Sequence, residues 1–139
     1  MKFYAPIHIR FRDLDAMAHV NNAVYFTFAE QGRIDYFQHV IGKRHNWKAF
    51  GVLIVHSEID YLYPIVLEDR VECGVEVIKI GKKSLTVQFE MVIRKENQDD
   101  ILAARGQNVL VCHNHATSET ALVPTGWITK ITAYEDRQF

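Results

Sequence analysis

The chain has 139 residues, 48% of them hydrophobic and 24% charged. Such a chain buries roughly two-thirds of its unfolded surface, which excludes a disordered or fibrous protein. A formal net charge of −1 excludes a global basic field for nucleic acid or anionic lipid, so a polyanionic ligand needs a local cationic patch.

The first strand is predicted over Tyr4–Phe11, where Ile7, Ile9 and Phe11 alternate with His8 and Arg10. A loop from Arg12 to Asn21 follows. Asn22 is placed to cap a helix running from Ala23 to about Val40, with Gly42 as its stop. Tyr25, Phe26, Phe28, Ala29, Ile34, Phe37 and Val40 cover more than one face, which predicts burial on several sides. His45–Phe50 suggests a short second helix.

After Gly51 the period becomes two. Leu53, Val55, Ile59 and Tyr61 share one face. Val71, Cys73, Val75 and Val77 form the next set, then Leu85, Val87, Phe89, Met91 and Ile93. This is the pattern of antiparallel strands buried on one face. The last strand falls near Ile101–His113, and turns are expected at Gly81 and at Glu96–Asp100. One sheet must bury one face against the only long helix, which predicts an α+β domain over residues 1–139. A small curved sheet leaves open edges, so at least a dimer is expected.

The two cysteines, Cys73 and Cys112, lie in apolar strands and read as reduced core thiols. The N-terminus lacks an apolar signal segment, and no apolar run is long enough to span a bilayer. A soluble cytoplasmic protein that engages neither membrane nor nucleic acid is the expectation.

The loop before the helix carries the chemistry. Asp13, Asp15, His19, Asn21 and Asn22 crowd a segment that ends at helix N-terminal amides. A carboxylate there can attack a carbonyl or activate water, while the amides stabilise the oxyanion.

Asp13, Asp15, His19-Val-Asn-Asn22 and Tyr25 together resemble the motif of hotdog-fold thioesterases. The nearest branch is similar to 4-hydroxybenzoyl-CoA thioesterase and the YbgC-like acyl-CoA thioesterases. His-Val-Asn-Asn is also similar to plant acyl-carrier-protein thioesterases. Downstream, Tyr63-Pro64, Glu68-Asp69, Ile80-Gly81 and Ala104-x-Gly106 match the family's strand and turn pattern, so the resemblance covers nearly the whole chain.

The resemblance implies a hotdog fold: a long central helix wrapped by a curved five-stranded antiparallel sheet. It implies hydrolysis of an acyl-CoA to free acid and CoA. Asp15 would be nucleophile or general base, and the amide at Asn22 would polarise the thioester carbonyl. The site would lie at the interface of a homodimer or homotetramer. No metal or cofactor is implied, because CoA is part of the substrate.

Two departures matter. Ala18 stands where the family commonly has glycine, and the 4-hydroxybenzoyl enzymes differ where His19, Asn21 and Asn22 stand. The latter shifts the expectation toward general acyl-CoA substrates.

Around this core the readings divide. Asp13 reads as structural. His19 is a candidate general base, loop-orienting partner or substrate contact. Asn21 and Tyr25 are candidate substrate contacts, although Asn21 also suits loop hydrogen bonding. Gly81, Lys82, Lys83 and Ser84 form either a solvated turn or a contact for the CoA phosphates or pantetheine. Glu30 and Arg33 read as an internal ion pair, with Glu30 a second carboxylate candidate because other hotdog branches place theirs on this helix. Cys112-His-Asn-His115 has no second ligand cluster and reads as a strand end rather than a metal site. The alternatives are an acyl-carrier-protein thioesterase, a hotdog hydratase and a non-catalytic acyl-CoA binding protein.

Overall fold

A computed structural model describes residues 1–139. The chain forms β1 (Phe3–Ile7), α1 (Val24–Val40), β2 (Phe50–Tyr61), β3 (Val71–Ile80), β4 (Ser84–Ile93), β5 (Ile101–Asn114), β6 (Glu119–Thr120) and α2 (Thr125–Glu135). The sheet is antiparallel in the order β1-β3-β4-β5-β2, with β6 paired to β5.

The alternating strands behave as their patterns predict. Val71, Cys73, Val75 and Val77 of β3 are buried, as are Leu85, Val87, Phe89, Met91 and Ile93 of β4. α1 lies across β1, β3 and β4, burying Tyr25, Phe28, Ala29, Tyr36 and Phe37. Gly42, with φ at 126°, ends it as expected. The Gly81 turn is closed by its amide donating to the Ser84 carbonyl at 2.8 Å.

Several expectations are corrected. β1 stops at Ile7 because Asp13 draws the chain into a 3-10 turn at Phe11–Asp13, which leaves Phe11 exposed. Residues 45–49 form bends and turns rather than a helix and Phe50 already belongs to β2, since the Asn46 side chain accepts from the Lys48 and Ala49 amides. A second helix, α2, is additional to the predicted elements. It inserts Trp127 and Ile131 into the core, and its buried Glu135 accepts hydrogen bonds from the Tyr36 hydroxyl and the Val77 amide.

The apolar face expected of β2 is broken by a register shift between Ile54 and His56. Leu53, Ile54, Val55 and Tyr61 are all exposed on this edge strand. Neither helix is long and apolar enough to cross a membrane.

Candidate active site

The segment from Asp13 to Tyr25 folds back on itself. Leu14 bridges Val20, and the Val20 amide donates to the Ile65 carbonyl at 2.8 Å, pinning the loop to the segment that leads into β3. Asp13 is the buried anchor. It accepts from the Arg10 amide at 2.8 Å and from the Arg10 guanidinium at 3.2 Å, and its carbonyl accepts from the Asn21 amide. Burial pushes the Asp13 carboxyl up. The Arg10 hydrogen bonds and the charges of Arg10 and Arg12 outweigh burial and hold it below the usual carboxylate value.

Asp15 is exposed, and its two oxygens differ. Oδ1 accepts from the Met17 amide at 2.9 Å and from the His19 amide at 3.3 Å. Oδ2 has no protein donor, so it faces solvent from a carboxylate fixed by its neighbour. The backbone repeats the lock: Asp15 N–H donates to the His19 carbonyl at 2.8 Å, and Ala18 N–H to the Asp15 carbonyl at 3.0 Å. Closing so tight a loop puts Ala18 at φ 60°, a left-handed conformation that suits glycine.

His19 therefore orients the loop through its backbone, while its half-buried imidazole makes no hydrogen bond to protein. Asn22 does not cap the helix: the cap position is Ala23, with no side-chain cap hydrogen bond, and Asn21 closes the turn just before it. Its side-chain oxygen accepts from the Ala23 amide at 3.0 Å and its carbonyl from the Val24 amide at 2.9 Å. The helix begins one residue later than expected, because the Asn21 turn still occupies residues 21–23.

This leaves the Asn22 amide without a protein acceptor at an exposed helix start. The Asn22 carbonyl accepts from the Tyr61 hydroxyl at 2.9 Å, which ties the helix start to the edge strand β2. Tyr25 is buried below, its ring 5.0 Å edge-on from that of Tyr61. Burial lifts the Tyr25 phenol above its usual value, opposed by a backbone hydrogen bond from Ile65 and reinforced by Tyr61 and Asp15.

Asp15, His19, Asn21, Asn22 and Tyr25 are thus one cluster. Gly81, Lys82, Lys83 and Ser84 are not part of it within one chain. Ile7 pairs with Val71, so the Asp13–Asn22 loop lies at the start of β3, whereas the Gly81 turn lies at its end. Ten strand residues at about 3.3 Å each separate the two ends by about 30 Å.

Arg33 departs from its expected role. The ion pair with Glu30 does not form: the buried guanidinium donates to Asn108 Oδ1 at 3.1 Å, and Asn108 Nδ2 donates to Ser57 Oγ at 2.8 Å. The signal available in the sequence is Asn108 itself, a polar residue between the apolar positions of β5. Burial lowers the Arg33 pKa, against the charge of nearby Glu30. His113 and His115 do meet, Nδ1 to Nδ1 at 2.7 Å, but no group of three metal-binding side chains forms there or elsewhere.

Residues 9–131 match the thioesterase-like superfamily. A thioesterase from Thermus thermophilus, solved in complex with coenzyme A and Zn, is 34% identical with a TM-score of 0.82, covering 98% of this chain and 96% of its own. The 1,4-dihydroxy-2-naphthoyl-CoA thioesterase from Synechocystis covers 98% of both chains with a TM-score of 0.80; at 19% identity this is a likeness of fold. A curated relative, the uncharacterized protein YsmA of Bacillus subtilis, is 26% identical over 87 residues, 63% of this chain, and the match spans 58% of that protein's length. The family match and the fold together define a thioester hydrolase of the hotdog fold. The chain belongs to the thioesterase-like superfamily.

Proposed function

We propose that the substrate is an acyl-CoA and that Asp15 is the catalytic carboxylate. The observation that carries this is the pairing, in one loop, of a free Asp15 Oδ2 with the unpartnered Asn22 amide at the start of α1. The thioester carbonyl oxygen accepts from that amide, whose position at the helix N-terminus favours the developing negative charge. Asp15 Oδ2 then acts by one of two routes. It takes a proton from a water that adds to the carbonyl carbon, or it attacks that carbon itself to form an anhydride that water later opens. In both, the C–S bond breaks, the sulfur leaves as thiolate and takes up a proton, and water supplies the oxygen of the acid. His19 keeps the loop in register. Asn21 holds the helix start and Tyr25 supports it from below. None of these steps requires a metal or a bound cofactor.

A second copy would complete the site. β2 is an edge strand with exposed apolar side chains, and pairing it with its own copy is necessarily two-fold. An antiparallel pairing brings the partner's far sheet end alongside this chain's catalytic loop. Gly81, Lys82, Lys83 and Ser84 of one copy then stand at the end of the molecule where the other copy holds its thioester. Lys82 and Lys83 are exposed there and suit the CoA phosphates. The near-neutral chain offers no surface-wide attraction for an acidic carrier protein, which favours CoA as the acyl donor.

A thiol-release assay over short, long and aromatic acyl-CoAs tests the reading. Asp15→Asn should lower kcat by about 100-fold or more. An Asp15→Asn protein as fast as wild type removes Asp15 from the mechanism. A wild type that releases thiol from none of the acyl-CoAs removes the substrate assignment.

A further inference from the structure

α1 covers only part of the inner face of the sheet. It packs on β1, β3 and β4, and its other flank faces β2 and β5 across a trench. Two hollows of about 340 and 280 Å³ lie along this trench, and both are lined by Glu30 and Arg33. Phe26, Thr27 and Ile54 form the wall on the side of the helix start. Phe37, Trp47 and Val52 form the wall beyond.

Arg33 stands between the two hollows, only 8% exposed. One of its nitrogens donates to Asn108, and the Asn108–Ser57 pair holds that edge of the guanidinium in place. The remaining nitrogens have no protein acceptor, yet none is sealed from solvent, so they open onto the trench. No carboxylate lies within 4.0 Å of them; Glu30, three residues back, acts only through space from an exposed position.

A buried guanidinium with no anion beside it is an unfavourable arrangement, because its desolvated charge is left uncompensated. Its planar fork of donors matches one ligand best, a carboxylate bound through both oxygens. The position is also suitable. Arg33 comes nine residues after Val24, about 13 Å along the helix axis from the start where the Asn22 amide stands free. On that side Phe26 and Ile54 supply apolar wall for methylene groups, beside the polar Thr27, Ser57 and Glu30.

We infer that this trench takes an acyl chain carrying a carboxylate at its far end, and that Arg33 binds that carboxylate. The preferred substrates are then ω-carboxyacyl-CoAs, and the products a dicarboxylate and CoA. This rests on the acyl-CoA hydrolase reading given above. Arg33 sets specificity and takes no part in breaking the C–S bond.

The test compares two series of acyl-CoAs of graded, matched length, one ending in methyl and the other in carboxylate. The expected result is a kcat/KM about 10- to 100-fold higher for the carboxylate series at the length that reaches Arg33, carried mainly by KM. Arg33→Met should collapse that ratio, and Arg33→Lys should retain part of it. A role confined to holding α1 against β5 would weaken both series alike and leave the ratio unmoved.

If Arg33→Met does not fold, the wild-type ratio and Arg33→Lys decide. Equal or better turnover of the methyl series at every length overturns the inference while leaving the hydrolase reading intact; the anion for Arg33 then comes from elsewhere, such as a second copy. Calorimetry with free dicarboxylates against monocarboxylates of the same length reads the same contact without turnover. If no acyl-CoA is hydrolysed, tighter binding of the dicarboxylates still supports the Arg33 site, and equal binding sinks it.

Discussion

Replacing Gly32 by alanine should loosen the packing that positions α1. A methyl group added there falls 2.5 Å from Cys73 Sγ, 3.0 Å from Cys73 Cβ and 3.2 Å from Val75 Cγ2. Relaxed non-bonded contacts lie at about 3.5–4.0 Å, so the helix must retreat from β3 by about 1 Å. Overpacking of this kind costs about 1–3 kcal/mol, and the better helix propensity of alanine returns about 1 kcal/mol. The expected net loss is about 1 kcal/mol, measurable as a shift of the urea midpoint followed by the fluorescence of Trp47 and Trp127. Gly126→Ala, in the first turn of α2 with nothing within 4 Å of the added carbon, is the control and should gain up to about 1 kcal/mol. Adding Cys73→Ala removes the sulfur nearest the new methyl, so the double variant should recover part of the loss, a coupling of at least about 0.5 kcal/mol. The displacement also reaches function. Arg33 is the next residue, and its 3.1 Å bond to Asn108 cannot survive a retreat of about 1 Å, so acyl preference should change along with stability. A Gly32→Ala protein as stable as wild type, with no coupling to Cys73, would refute this account of the helix–sheet contact.

Ala18→Gly should stabilise the chain by roughly 0.5–1 kcal/mol, since it removes a left-handed alanine costing about 1–2 kcal/mol and gives back part in backbone entropy; a lower denaturation midpoint would count against it. Burial pushes the Cys73 thiol up to about 12 and the Cys112 thiol to about 11, so both should resist a thiol-specific chromogenic reagent at about pH 8 in the native state and react fully in denaturant; rapid native labelling would show that the strands open. Asp13 has its folded pKa below its ordinary 3.8, so its contribution to stability is present above that value and is lost as pH falls through the lower folded one. Asp13→Asn should therefore flatten the fall in stability below pH 3.8, and an unchanged acid limb in denaturation curves would show that the Arg10 contact contributes nothing.

The parts of the fold that are legible in the sequence are those where one physical demand governs a long stretch. β3 and β4 keep the alternation of their large side chains over Val71–Val77 and Leu85–Met91, where one face packs inward under α1, and each shifts register only near its end, between Val77 and Lys79 and between Met91 and Val92. β2 defeats the same reasoning because one extra residue near Val55 reverses the parity of everything after it. α2 escapes it although Trp127, Ile131 and Tyr134 recur at helical spacing, since Thr125, Gly126, Thr129 and Thr132 dilute the pattern with poor helix formers. The motif singles out Asp15 and the Asn22 amide as candidates, but the difference between the two oxygens of Asp15 is not legible in it. It depends on a backbone path through a left-handed Ala18 that no side-chain pattern encodes. Arg33 fails for a different reason: spacing on a helix predicts neighbours, and its partner Asn108 lies 75 residues away on β5.

The elements that depart from their patterns at β2 and Arg33 share one edge of the molecule, and that coincidence has a physical cause. α1, β1, β3 and β4 satisfy one another within the chain, so their sequences report their own environment. β2 carries apolar side chains outward at Leu53, Ile54 and Val55, and Phe26 and Ile34 on the facing flank of α1 are exposed as well. Arg33, in the same gap, is buried without a counter-ion. Apolar residues facing water and a cation facing no anion are both sequence choices made for something outside the chain. The proposed second copy along β2 would cover the apolar strip, and the proposed acyl group ending in a carboxylate would pair with Arg33. The Asp13–Asn22 loop joins the two, because the Tyr61 hydroxyl on the edge strand holds the carbonyl of Asn22, whose amide is left without a protein acceptor. Whatever pairs with β2 therefore bears directly on Asn22, the residue whose amide the proposed mechanism uses.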